Sequence, residues 1–195
     1  MRDLRGWVFD LDGTLTVAQH DFPAIRRELG IPADQDILAY VASRPELERR
    51  QLGERLDAIE LRLAAEVKAA AGAAELIRYL HQEGVRLGIL TRNLRRVAEQ
   101  SLSILGVNQC FAPEDILGRE EALPKPHPDG ILKLAERWAL APTEMVMVGD
   151  FRFDLEAGRN AGCRTCLLQF DNVWPDLADW HMPDCHTLLG HLRPG

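Results

Sequence analysis

Asp10 and Asp12 stand two residues apart where the apolar run Gly6-Trp7-Val8-Phe9 stops, and Gly13 lets the backbone turn beneath them. A nucleophile paired with an acid is one reading of this spacing; a strand that ends in a polar turn is the other. Two further apolar runs stop at polar groups in the same way. Val85–Leu90 is followed by Thr91-Arg92-Asn93, and Met145–Val148 by Gly149-Asp150, with Asp154 shortly after. Lys125 lies between Pro124 and Pro126. The chain's ordinary cation is arginine, since Lys68, Lys125 and Lys133 are the only lysines among 23 basic residues, so a lysine in this stiff loop is no casual surface charge. Carboxylates gathered at one edge repel one another unless a cation sits among them. An all-oxygen site with room for water and phosphate suits Mg²⁺.

The elements that must position these groups read as alternating strands and helices. The opening run is a buried strand that delivers Asp10 to its carboxyl end, the edge at which open α/β sheets bind ligands. From Asp21 to Ala71 there is no strand candidate. Leu52, Leu56, Ile59 and Leu63 trace one stripe of a long amphipathic helix, and Ile31-Pro32 and Ser43-Arg44-Pro45 divide the segment into three helices. This gives a small helical cap over 16–72, and a core made of 1–15 and 73–195. In the core the pattern predicts a helix over Ala73–His81, a strand over Val85–Leu90 and a helix to Leu105. A weak strand near Cys110-Phe111 follows, then a helix over Asp129–Trp138, a strand over Met145–Val148 and a helix starting at Asp154. A fifth strand over Thr165–Phe170, a last short strand near Asp184–His186 and a terminal helix complete the pattern. Such repetition means a parallel sheet covered on both faces.

Composition narrows the function classes. With 195 residues and 46% hydrophobic content the chain can bury a full core. The net charge of −7 argues against a nucleic-acid polymer as partner and leaves a small or metal-organised ligand. No apolar run reaches the roughly 20 residues of a membrane span, and the N-terminus is unlike a signal peptide, so the sequence reads as a cytoplasmic monomer or homodimer without a membrane partner.

Taken together, Asp10-Leu11-Asp12-Gly13-Thr14, Thr91 after Ile89-Leu90, Lys125 in Lys-Pro-His-Pro, and Gly149-Asp150 with Asp154 resemble the four motifs of the haloacid dehalogenase superfamily, in family order. The nearer resemblance is to the phosphoglycolate-phosphatase-like branch with a helical cap after the first motif. It implies a Rossmann-like core with strand order 5-4-1-2-3 and a Mg²⁺-dependent phosphatase acting on a small phosphorylated metabolite through an aspartyl-phosphate. By the same resemblance Asp10 is the nucleophile, Asp12 the acid and then base, and Thr91 and Lys125 hold the phosphoryl oxygens. The metal is held by Asp10, Asp150, the Asp12 carbonyl and Asp154. A sugar phosphomutase-like transfer and a non-catalytic regulatory protein on the same fold are the alternatives.

The chain departs from the family at several points. Arg92 puts a large cation into the second motif, where it either binds substrate with Asn93 or points away, and the cap is short for the branch. His20 resembles a histidine shared by some phosphatases and phosphomutases, with packing or capping as the plain alternative. The Arg26-Arg27 and Arg49-Arg50 pairs read as solvated helix faces. Cys163, Cys166, His181, Cys185 and His186 are spaced too loosely for a convincing zinc site, and a turn plus a buried strand accounts for the cysteines. Trp174 and Trp180 read as core packing, with a place at the rim of the site as the alternative.

Overall fold

The structure is a computed structural model and describes residues 1, 3–18 and 21–193. Six parallel strands form one sheet: β1 (Gly6–Phe9), β2 (Arg86–Leu90), β3 (Ile116–Leu117), β4 (Met145–Gly149), β5 (Arg164–Leu168) and β6 (Trp180–Met182). Their order is β3-β2-β1-β4-β5-β6. β1 to β5 therefore run 5-4-1-2-3 as expected, and β6 adds an edge beyond β5.

Alternation along the strands splits the core into two layers. Trp7, Phe9, Leu87, Ile89, Val146, Val148 and Cys166 face one side, where α4 (Ala73–Gln82), α5 (Arg95–Ile104) and α8 (Cys185–Leu192) cover them. Val8, Leu90, Met145, Met147 and Cys163 face the other side, against α6 (Asp129–Trp138) and α7 (Arg152–Ala161). Cys163 and Cys166 thus belong to opposite layers and cannot share a metal ion. Burial pushes the Cys163 thiol up to about 12, so it behaves as an apolar core group.

Two expected strands lie elsewhere. Asn108–Cys110 is a 3₁₀ turn, and β3 follows at Ile116–Leu117, pairing with Ile89 and Leu90. A strand of two residues has no periodicity to read. The last strand is Trp180–Met182 rather than Asp184–His186, because the Asp184 carboxylate accepts the Thr187 N–H at 2.7 Å and caps α8.

Between β1 and α4 the chain forms α1 (Phe22–Leu29), α2 (Ile37–Ala42) and α3 (Glu46–Ala64). Asp21 and Asp36 cap the first two, each accepting a backbone N–H from three residues on. Ile25, Leu29, Ile37, Val41, Leu52, Leu56 and Ile59 make an apolar cluster of their own, with Leu63 packed against it.

Candidate active site

β1, β2, β4 and β5 each hand a polar residue to the carboxyl edge, and the ladder holds some of them in place. The Asp10 N–H donates to the Val148 carbonyl at 2.9 Å, and the Thr91 N–H to the Leu117 carbonyl at 3.0 Å. Backbone positions are therefore set by the sheet before any side chain makes contact.

Lys125 comes to these strand ends from the loop before α6, where its peptide bond to Pro126 is cis. It is only 4% exposed, and its Nζ donates to Asp10 Oδ1 at 2.6 Å and to Asp154 Oδ1 at 2.5 Å. A buried lysine stays charged only if paired and hydrogen-bonded. Burial acts to lower its pKa, but the Asp10 and Asp154 carboxylates outweigh that and hold it above its ordinary value. Asp154, in the first turn of α7, is 2% exposed and also accepts the Phe151 N–H at 3.0 Å. Its position beside Gly149 requires a glycine, because a Cβ there would collide with the Asp154 carboxylate.

Asp150 completes the cluster. One oxygen each from Asp10, Asp150 and Asp154 lies within 4.8 Å of the other two, the one such group of potential metal ligands among the described residues. Burial, with the Asp10 and Asp154 charges next, pushes Asp150 up to about 8, against the Thr14 hydrogen bond and Lys125. Asp10 is raised to about 6, chiefly by burial, with the Asp154 charge adding to the rise and Lys125 opposing it. One lysine among three carboxylates leaves net negative charge. The donor set is all oxygen and the charge excess is of the sign a hard divalent cation neutralises, so the residues fit such an ion.

Thr14 and Gln169 anchor Asp150 and were not singled out from the sequence. Thr14 Oγ1 donates to Asp150 Oδ1 at 3.1 Å, and Gln169 Nε2 to the Asp150 carbonyl at 2.8 Å. Gln169 is itself held by β6: its N–H donates to the Met182 carbonyl, and its carbonyl lies 2.7 Å from His181 Nε2. A polar residue just past the end of β5 is the same signal that marks Thr91 and Asp150. Gly13, at φ 86°, passes so close to Asp150 that any Cβ would strike the carboxylate.

The remaining sequence candidates divide. Thr91 is buried one strand from Asp10, and its Oγ1 accepts the Asn93 N–H at 3.1 Å. Asp12 sits in the turn after β1, bridged to Thr16. Asn93 lies in the turn after Thr91, where its carbonyl accepts the Arg119 N–H. Arg92 turns to the helical segment: Nη2 donates to both oxygens of Asp36, at 2.7 and 2.8 Å, and the guanidinium lies 5.2 Å above the Phe153 ring. That pairing draws the Asp36 carboxyl below its ordinary value, against the burial that raises it. Trp174 reaches the carboxyl edge on the loop after β5, within ring contact of Phe151, while Trp180 packs against the core. His20 lies outside the described residues.

The family model of haloacid dehalogenase-like hydrolases matches residues 4–162. The chain belongs to that family. An uncharacterized hydrolase of Saccharomyces cerevisiae is 33% identical over 172 residues, spanning 87% of this chain and 79% of the relative. Phosphoglycolate phosphatase of Escherichia coli O157:H7 is 26% identical over 223 residues, spanning 93% and 88%. The crystal structure of a hydrolase from Pseudomonas syringae superposes with a TM-score of 0.79 at 25% identity, covering 96% of this chain and 97% of that one. The protein is thus a haloacid dehalogenase-like hydrolase, and none of its described helices is long and apolar enough to cross a membrane.

Proposed function

We propose that this hydrolase is a Mg²⁺-dependent phosphatase that cleaves a small phosphomonoester through an aspartyl-phosphate on Asp10. The observation that carries the reading is the buried Lys125 gripped by Asp10 and Asp154, with Asp150 within ligand distance of both acids. A relative named phosphoglycolate phosphatase, matched along most of both chains, points to the same bond type.

In this reading Asp10, Asp150, Asp154 and the Asp12 carbonyl hold the metal, which supplies positive charge to the phosphoryl oxygens. Asp10 attacks phosphorus through its free oxygen while Lys125 holds the other in line. The bond from phosphorus to the alcohol oxygen breaks, and Asp12 gives its proton to that oxygen. Asp12 then takes a proton from the water that attacks phosphorus and frees Asp10. Thr91 and Lys125 donate to the phosphoryl oxygens, where charge accumulates in the transition state. Residues 16–72 act as the cap that excludes water over a core of 1–15 and 73–195.

The direct test is phosphate release from a panel of phosphomonoesters with Mg²⁺ and with excess chelator, for the wild type and for Asp10→Asn. Turnover that requires Mg²⁺ and vanishes in the variant is expected. Full activity in chelator, or in Asp10→Asn, sinks the mechanism.

A further inference from the structure

The carboxyl edge carries a group of side chains that phosphoryl transfer does not use. Phe151 follows Asp150 directly, and Phe153 precedes Asp154. The Phe151 ring meets Phe153 edge to face at 5.2 Å and 85°, and meets Trp174 at 5.4 Å and 79°. Arg92 covers the Phe153 ring and is held in turn by Asp36 of the helical segment. Three separate segments of the active edge, the loops after β2 and β5 and the start of α7 after β4, therefore build one wall.

Its position is tied to the reacting centre by a hydrogen bond. The Phe151 N–H holds the Asp154 carboxylate that grips Lys125, so the ring projects from a backbone already fixed to the phosphate machinery. Its far end touches the helical segment through Arg92 and Asp36. The wall thus runs from the core to the helices, on the same sheet edge as Asp150 and Asp154. Phe151 nevertheless remains 48% exposed. Two edge-to-face neighbours fix the ring while about half of its surface stays open. That is the arrangement an aromatic ligand stacks on, at centroid separations of about 4.5–7 Å.

Resting on the phosphatase reading, we infer that Phe151, braced by Phe153 and Trp174, selects phosphomonoesters whose alcohol carries a flat aromatic or heteroaromatic ring. The ring either adjoins the phosphoester carbon, as in benzyl phosphate, or lies one sugar away, as in a nucleoside 5′-monophosphate.

The experiment uses the full chain with Mg²⁺ and two matched pairs: benzyl against cyclohexylmethyl phosphate, and a nucleoside 5′-monophosphate against ribose 5-phosphate. The members of each pair share a similar leaving alcohol, so kcat/KM reports the ring. A preference of about fivefold for the ring-bearing member of at least one pair is expected, falling to about one in Phe151→Leu, which keeps apolar bulk but loses the aromatic face. Trp174→Leu should lower the same ratio part of the way. Equal turnover within both pairs, or a ratio unchanged in Phe151→Leu at an unchanged Tm, overturns the inference and leaves the phosphatase reading standing. If no phosphomonoester is cleaved, the phosphatase reading fails by itself. Calorimetric binding of benzylphosphonate against cyclohexylmethylphosphonate then decides the ring site: a benzyl preference supports it and equal binding overturns it.

Discussion

Lys125 is a buried cation that joins Asp10 to Asp154, and on the proposed mechanism it serves the chemistry as well as the fold. Removing the ammonium by Lys125→Ala leaves Asp10 and Asp154 facing each other without the donor they share. A loss of turnover of about 100-fold or more is expected, together with weaker inhibition by vanadate, read in steady-state assays. Lys125→Arg should fare little better, because a planar fork does not fit where a compact ammonium donates to two oxygens at 2.6 and 2.5 Å. Near wild-type kinetics for both variants would make Lys125 a packing residue. The same cluster predicts an unusual pH profile of stability. Asp150 and Asp10 are held above their unfolded values, at about 8 and about 6, before any cation is bound. The folded state therefore binds protons more tightly than the unfolded one, and the stabilisation is present at low pH and lost as pH rises through those values. In chelator, Tm should fall between about pH 4 and pH 8, from the ordinary carboxylate range up to the raised values. Added Mg²⁺ should raise it more at pH 8 than at pH 5, because only ionised carboxylates bind the metal. A flat Tm profile in chelator, or one unchanged by Asp150→Asn, would contradict this.

At the scale of elements, α3 is joined to the core by charge. Glu60, 4% exposed, accepts from Arg119 Nη1 through both oxygens, at 2.8 and 2.6 Å, and Asp57 pairs with both Arg119 and Arg96. Arg119 lies just past β3 and Arg96 on α5, so the clamp ties the long helix of the insertion to two neighbouring parts of the core. Breaking a buried pair from one side strands a charge, which costs about 3–5 kcal/mol. Arg119→Met should therefore lower Tm by an amount on the order of 10 °C. Arg119→Met combined with Glu60→Leu should recover part of that loss, since the stranded Glu60 charge is removed, while the Leu94 N–H that donates to Glu60 loses its acceptor. A double variant no more stable than the single one would show that the charges are not what holds α3 in place.

For the molecule as a whole, the two apolar layers of the sheet and the helical cluster are separate cores. Among the described residues, Ala64, Leu94 and Val97 with Leu61 form an apolar bridge between them, and the ion pairs Arg92–Asp36, Arg96–Asp57 and Arg119–Asp57/Glu60 cross the same junction. Ionic junctions weaken as salt shortens the screening length from about 10 Å at 0.1 M to about 3 Å at 1 M. Hydrogen exchange in α1–α3 should consequently accelerate with salt more than exchange in β1 and β4. Equal responses would mean that packing alone sets the junction. Much of this architecture was legible in the chain. Buried parallel strands are short apolar runs, and a run that stops at Asp10, Thr91 or Asp150 marks a strand end whatever surrounds it. The spacing of Leu52, Leu56 and Ile59 likewise marks a helix. Local pattern could not show β3, which is two residues long, nor β6, displaced because Asp184 caps a helix instead. It could not show that Arg92 turns to Asp36, that Gln169 and Thr14 hold Asp150, or that Phe151 meets Trp174. Those contacts join residues far apart in the chain, and only the closing of the sheet and the docking of the helices upon it bring them within bonding distance.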